Sequence, residues 1–270
     1  MLANKSNGFY ERDQKHYVSV TTVLKVLDSY ALGQWRLQTG CVGVVHNVLM
    51  ELDQLLRTQD MAGIIAFSKR TDLITNAGHM AQACLQLEFQ KAVGKGSDIH
   101  AMIEDYLKGT TVVVDDSVKF VWEKIKEFLD GLALKPKAIE KHLISSKGFA
   151  GTLDCLAPLS EEQVAFLKPY LYGKEEIKPG LIVWDWKSRN SEDGFYPDSG
   201  YQIGAYMGAV NEEAGSKVCE QGIIVNINKR TGGIRVKPYS LDPWYAHFLS
   251  IFDVWKIHAS PVWWKKEQTI

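Results

Sequence analysis

Leu181-Ile-Val-Trp-Asp-Trp-Lys187 is the stretch on which the reading of this 270-residue chain turns. A short apolar run of this kind reads as a buried β-strand. Alternate residues of a strand share a face, so Asp185 and Lys187 point the same way, with Val183 beneath them. The strand thus delivers a carboxylate and an ammonium to one spot. The carboxylate can hold Mg²⁺ through oxygen, and the ammonium can orient a water or offset charge building on a phosphoryl group. The chain holds two other acid-x-Lys triplets, Asp13-Gln-Lys15 and Glu176-Ile-Lys178. Only Asp185-Trp-Lys187 ends an apolar strand, and that context selects it.

Downstream, Gly200 to Asn211 reads as a helix. Gly222 to Asn228 and Ile234 to Tyr239 then flank Arg230-Thr-Gly-Gly233 as a hairpin, and Asp242 to His258 forms a closing helix. Upstream, Ala138 to Ser146 and Phe149 to Ala157 flank Lys147-Gly148 as another hairpin, and residues 158–180 form a polar connecting excursion. The first third reads as helical. Ser19-Val-Thr-Thr22 opens a capped helix, and apolar residues recur at helical spacing over 41–57 and 77–93. Further helices span about 97–107, ended by Gly109, and about 117–132. The order predicts an α/β core over residues 96–270 behind a helical N-terminal arm over 1–95.

Hydrophobic residues make up 46% and charged residues 23%, which excludes a disordered tail and a collagen-like repeat. The net charge of −1 argues against a polybasic nucleic-acid binder but leaves room for an enzyme with a local basic groove. No run approaches the ~18 apolar residues of a membrane helix. The first residues carry Lys5, Arg12 and Asp13 without an apolar core, so a cytoplasmic protein is expected. Cys41, Cys84, Cys155 and Cys219 include no close pair, so neither a zinc ribbon nor an iron–sulfur cluster is expected. No G-x-x-x-x-G-K-[ST] occurs, and no nucleotide cofactor is expected.

Three further groups join the Asp185/Lys187 strand. Asp154 of Gly151-Thr-Leu-Asp154 interrupts an apolar stretch, where a carboxylate is costly unless paired or bound to metal. His100 and Glu104 stand four apart and share a helix face, as do Gln202 and Tyr206. A backbone-bonded aspartate, a surface histidine and an outward polar helix face are the ordinary readings of each taken singly.

In order, His100, Asp154, Asp185-Trp-Lys187 and Gln202…Tyr206 resemble the RecB-like branch of the PD-(D/E)XK nuclease superfamily, with Glu140 where that family often opens the hairpin with a glutamate. Ser19-Val-Thr-Thr22 with a later Trp35 is similar to the N-terminal segment of phage and mitochondrial exonucleases of this branch. The resemblance spans roughly residues 19–260 and is carried by about a dozen positions. It implies a restriction-endonuclease-like core, with a mixed central β-sheet flanked by helices. It further implies that His100, Asp154 and Asp185 hold Mg²⁺ or Mn²⁺, and that Lys187 activates or positions the attacking water. Gln202 and Tyr206 would organise the site and touch DNA, and Glu140 would assist.

The implied activity is a metal-dependent DNA exonuclease acting on single strands or strand ends, in recombination, repair or replication. The bacterial or phage-infected cytoplasm is its expected place. The alternative is a non-catalytic nucleic-acid-binding protein on the same fold. The N-terminal arm, with Thr21, Thr22, Trp35 and Arg36, is expected to wall a channel for a single strand by stacking and phosphate contacts.

Overall fold

The computed structural model describes residues 3–6, 8–27, 30–68, 79, 81–86 and 99–263. The chain divides into two compact units, one of Met1–Leu27 with Gly96–Ile270 and one of Asp28–Lys95. In the second unit, helix α2 (Tyr30–Arg57) is followed by α3 (Met61–Ser68) and a helical stretch at 81–86.

The first unit is α/β. Its strands are β1 (Ala3–Ser6), β2 (Phe9–Arg12), β3 (Lys15–Ser19), β4 (Ala138–Ile144), β5 (Phe149–Leu159), β6 (Gly180–Arg189), β7 (Gln221–Asn228) and β8 (Ile234–Ser240). They form one mixed sheet in the order β1-β2-β3-β5-β6-β7-β8, with β4 also paired to β5. The β3–β5 and β6–β7 pairs are parallel and the others antiparallel. Among the described residues the helices of this unit are α1 (Val20–Val23), α4 (residues 99–108), α5 (Lys119–Leu132), α6 (Glu161–Leu167), α7 (Pro197–Ala214) and α8 (Leu241–Trp263).

The strand alternation sorts the core into two layers. Ile182, Trp184 and Trp186 of β6 face α4 and α5, against Ile99, Ile103, Ile125 and Phe128. Val183, on the other face, joins Ile203, Met207 and Phe248 of α7 and α8. Helix α5 can form this way because Val121, Trp122, Ile125, Phe128, Leu129 and Leu132 make one apolar stripe. Helix α7 starts with Pro197 in its first turn and stops at Gly215, whose φ of 65° closes the last turn.

The parting of two strands positions the site. Strand β5 is flanked by β4 along 150–156 on one edge. On its other edge it meets β3 at residues 149 and 150 and β6 only from Cys155 onward. Residues 151–154 therefore face a gap where β5 and β6 part.

Two differences from the expectations of the sequence stand out. The segments of β1, β2 and β3 are strands rather than part of a helical arm, and through β3 they belong to the sheet. The 158–180 excursion contains α6, whose Ser160 and Gln163 form a reciprocal capping box. No described helix is long and apolar enough to cross a membrane.

Candidate metal centre and lysine row

Asp154 lies in the gap between β5 and β6. The last ladder pair is Cys155↔Trp184, and just beyond it the Trp186 N–H donates to Asp154 Oδ2 at 2.9 Å. The carboxylate thus takes over the role of the missing backbone partner. It also stands beside His100, whose Nε2 is 3.1 Å from Asp154 Oδ2 and 3.7 Å from Glu140 Oε1.

Glu140 reaches this cluster by an irregularity in the β4–β5 ladder. Alternation would put Leu153 and Leu156 on opposite faces, yet both pack in the core under α7, while Cys155 packs in the other layer. The facing of β5 therefore shifts at Asp154–Cys155. Opposite the shift, between the pairs Ile139↔Cys155 and Lys141↔Leu153, Glu140 takes a left-handed φ of 48°. The two irregular positions bring both carboxylates to the side where α4 presents His100.

His100, Glu140 and Asp154 each offer a ligand atom, and these atoms lie within 4.8 Å of one another. Of the set expected from the resemblance, His100, Asp154 and Asp185, this cluster contains His100 and Asp154 and adds Glu140, which was expected to assist. Asp185 is 1% exposed and faces Lys187, whose Nζ donates to Oδ1 at 2.9 Å and lies 2.8 Å from Oδ2, an atom that, like His100 Nε2, has no aligned hydrogen-bond partner. Lys187 Nζ also donates to Gln202 Oε1 at 3.0 Å, and Gln202 Nε2 donates to Tyr206 OH at 3.0 Å. The i, i+4 spacing on α7 thus becomes a relay running from Tyr206 to Lys187. Gly151 is required beneath it, because a Cβ there would lie 2.4 Å from Tyr206 Cε1.

The electrostatics join the two groups. Burial, then the charge of Asp154, pushes Glu140 up to about 7. Burial also raises Asp185 against the pull of Lys187. Burial alone would lower His100 and Lys187, but the carboxylates outweigh it. Asp154 holds His100 above 6.5, and Asp185 with Asp154 holds Lys187 above 10.5. Burial and neighbouring negative charge thus make the ionised forms of Glu140 and Asp185 costly, the condition a divalent cation relieves. The donor set fits such an ion. His100 Nε2 is buried and has no aligned hydrogen-bond partner despite its nearness to Asp154, and hard carboxylate oxygens supply the rest.

The other residues singled out in the sequence are not part of this ligand cluster. Thr21 and Thr22 belong to the cap of α1, where Ser19 Oγ accepts from the Thr22 N–H at 3.1 Å and contacts both threonine hydroxyls. The side chains of Trp35 and Arg36 lie outside the described residues. Glu104 pairs with Lys108 one turn along α4. Cys155 and Cys219 are buried thiols, pushed up to about 12 and about 11.

Two residues escaped the sequence reading. Arg189 continues the Asp185, Lys187 face of β6, a D-x-K-x-R alternation visible in the sequence. Asn226 pairs across β6–β7 with Lys187 and is fully buried. Its signal was the same as that of Asp154, a polar residue interrupting an apolar strand.

No protein-family model and no curated protein matches the chain. The solved structure described as "Crystal structure of SSO0001" is similar at 15% identity and a TM-score of 0.33, over 66% of this chain. The match spans 65% of that chain, under two thirds of its length.

Proposed function

We propose that this protein is a metal-dependent nuclease of the RecB-like PD-(D/E)XK kind, hydrolysing phosphodiester bonds of DNA at single strands or strand ends. The observation that carries the reading is the adjacency of two groups. One is the His100, Glu140 and Asp154 cluster, and the other is Lys187, held by Asp185 and Gln202. A plain structural ion pair would not need a cluster of one imidazole and two carboxylates, one of them on the left-handed Glu140, beside it.

His100, Glu140 and Asp154 would hold Mg²⁺ or Mn²⁺, with Asp185 at the cluster's border. The bound cation would polarise the phosphodiester and make water a better nucleophile. The residues of the chain do the rest. Lys187 keeps its ammonium protonated, because two carboxylates face it, and so presents positive charge to the phosphoryl oxygens as they gain charge. Gln202 and Asp185 fix the direction of that ammonium, and Tyr206 fixes Gln202. Asp154 remains oriented through the Trp186 N–H. The intact set of acids and lysine favours an enzyme over a mere binder on the same fold.

Digestion of end-labelled linear and of circular single-stranded DNA, with Mg²⁺ and with excess chelator, tests the reading. Mg²⁺-dependent loss of the linear strand is expected. Degradation unaffected by chelator would refute the metal assignment.

A further inference from the structure

Beyond Lys187 on the same face of β6, Arg189 turns away from the carboxylates and grips the segment leading into α7. Its Nη1 donates to Gly194 O at 2.7 Å and its Nη2 to Ser199 Oγ at 2.6 Å. Its guanidinium lies 4.4 Å from the centre of the Tyr196 ring, a cation–π contact. The loop is held from β7 as well. Asn226 Nδ2 donates to Ser191 O and Glu192 O at 3.1 and 2.7 Å, and Asn228 Nδ2 donates to a Glu192 carboxylate oxygen at 2.7 Å. Phe195, the neighbour of Tyr196, packs against Tyr172 with ring centres 4.8 Å apart.

Tyr196 is the exposed aromatic ring of this anchored loop. It is backed by a cation and set at the N-cap of the helix that carries Gln202, yet 56% of it is exposed. Arg189 and Lys187 are two residues apart on a strand, about 7 Å by the strand rise, a span that a phosphate and its own base can bridge. A ring fixed from behind loses little freedom when something stacks on its open side.

We propose that Tyr196 is a stacking platform for an unpaired nucleobase flanking the scissile phosphate. The substrate would accordingly be single-stranded DNA at that nucleotide, since a base inside a duplex is already stacked on both sides. Arg189 is a positioning residue in this account, because two of its N–H donors hold the loop and its guanidinium backs the Tyr196 ring. The proposal rests on the phosphodiester-hydrolysing reading of the neighbouring site.

The test uses the Lys187→Ala protein, folded by circular dichroism and with Mg²⁺ present, so that DNA is bound while its cleavage is slowed beyond the time of the binding measurement. A fluorescein-labelled oligothymidylate and the same oligonucleotide with abasic sites are the probes. Adding Tyr196→Ala should weaken binding of the oligothymidylate by about 5- to 100-fold, the range expected for one base–aromatic stack. Tyr196→Phe in its place should keep the binding, and on the abasic strand Tyr196→Ala should change nothing. Equal binding of oligothymidylate with and without Tyr196→Ala would overturn the platform, as would the same loss on the abasic strand; the nuclease reading would stand in both cases. Failure of the Lys187→Ala protein to bind either strand, together with no cleavage by the unsubstituted protein, would overturn both.

Discussion

Glu140 combines two costs. Its φ of 48° is a left-handed conformation that a non-glycine residue adopts only when its surroundings demand it, and its carboxylate is half-buried beside Asp154. A residue kept under both costs is a functional candidate on physical grounds. Its titration gives a sign that can be checked. Glu140, pushed up to about 7, and His100, raised above 6.5, both retain protons below neutrality in the cation-free protein. A cation must displace them, so Mg²⁺ affinity should rise as pH increases from about 6 to about 8. Calorimetry at a pH of about 6.5 in two buffers of different ionisation enthalpy should detect this proton release. Glu140→Gln should remove part of that release, leaving the share of His100. Equal affinity at both ends of that pH range would remove Glu140 from the ligand set.

At the scale of elements, the site depends on the β4–β5 hairpin and α7 being fixed to one another, and Glu212 of α7 does this. Its carboxylate accepts from Ser145 Oγ, from the Ser146 N–H and Oγ, and from Tyr245 OH of α8 at 2.6 Å. Burial would raise Glu212, but the Tyr245, Ser145 and Ser146 hydrogen bonds hold it below 4.5. A depressed folded pKa means that this stabilisation is present above the unfolded value and is lost as pH falls through the folded one. Glu212→Gln should therefore cost about 1–3 kcal/mol at about pH 7, with a smaller penalty at about pH 3, measured by urea denaturation. The elements around this hairpin were legible because β5, β6 and β7 are largely apolar runs, β8 alternates apolar and polar residues, turn residues separate them, and α7 between β6 and β7 has its own punctuation. Helix α6 was missed within a polar stretch although Ser160-x-x-Gln163 carried its capping signal. The approach of Glu140 to His100 was hidden because it depends on a shift in strand facing, which alternation cannot anticipate.

At the scale of the molecule, strands β1–β3 were read as part of a helical arm because the partner that fixes them, β5, lies far along the chain, with Val18 paired to Phe149. Val18, Val20 and Val23 are all buried in the α7-side core. Deleting residues 1–19 should thus uncover the β3 side of β5 and destabilise the Gly96–Ile270 portion, seen as a lower melting temperature; an unchanged melting temperature would show that these strands are dispensable. The Asp185/Lys187 pair was legible from its strand context, and Asp154 from its intrusion into an apolar run. Of the residues expected to wall a single-strand channel, Thr21 and Thr22 form the α1 cap, and the side chains of Trp35 and Arg36 fall outside the described residues. The most direct measurement of the central claim is the Mg²⁺-dependent rate of hydrolysis of end-labelled single-stranded DNA by the unsubstituted protein and by Lys187→Ala. The account predicts cleavage that chelator abolishes and that Lys187→Ala slows by about 10²–10³-fold, with DNA binding retained. Near-normal cleavage by Lys187→Ala, or none by the unsubstituted protein with Mg²⁺ or Mn²⁺, would contradict it.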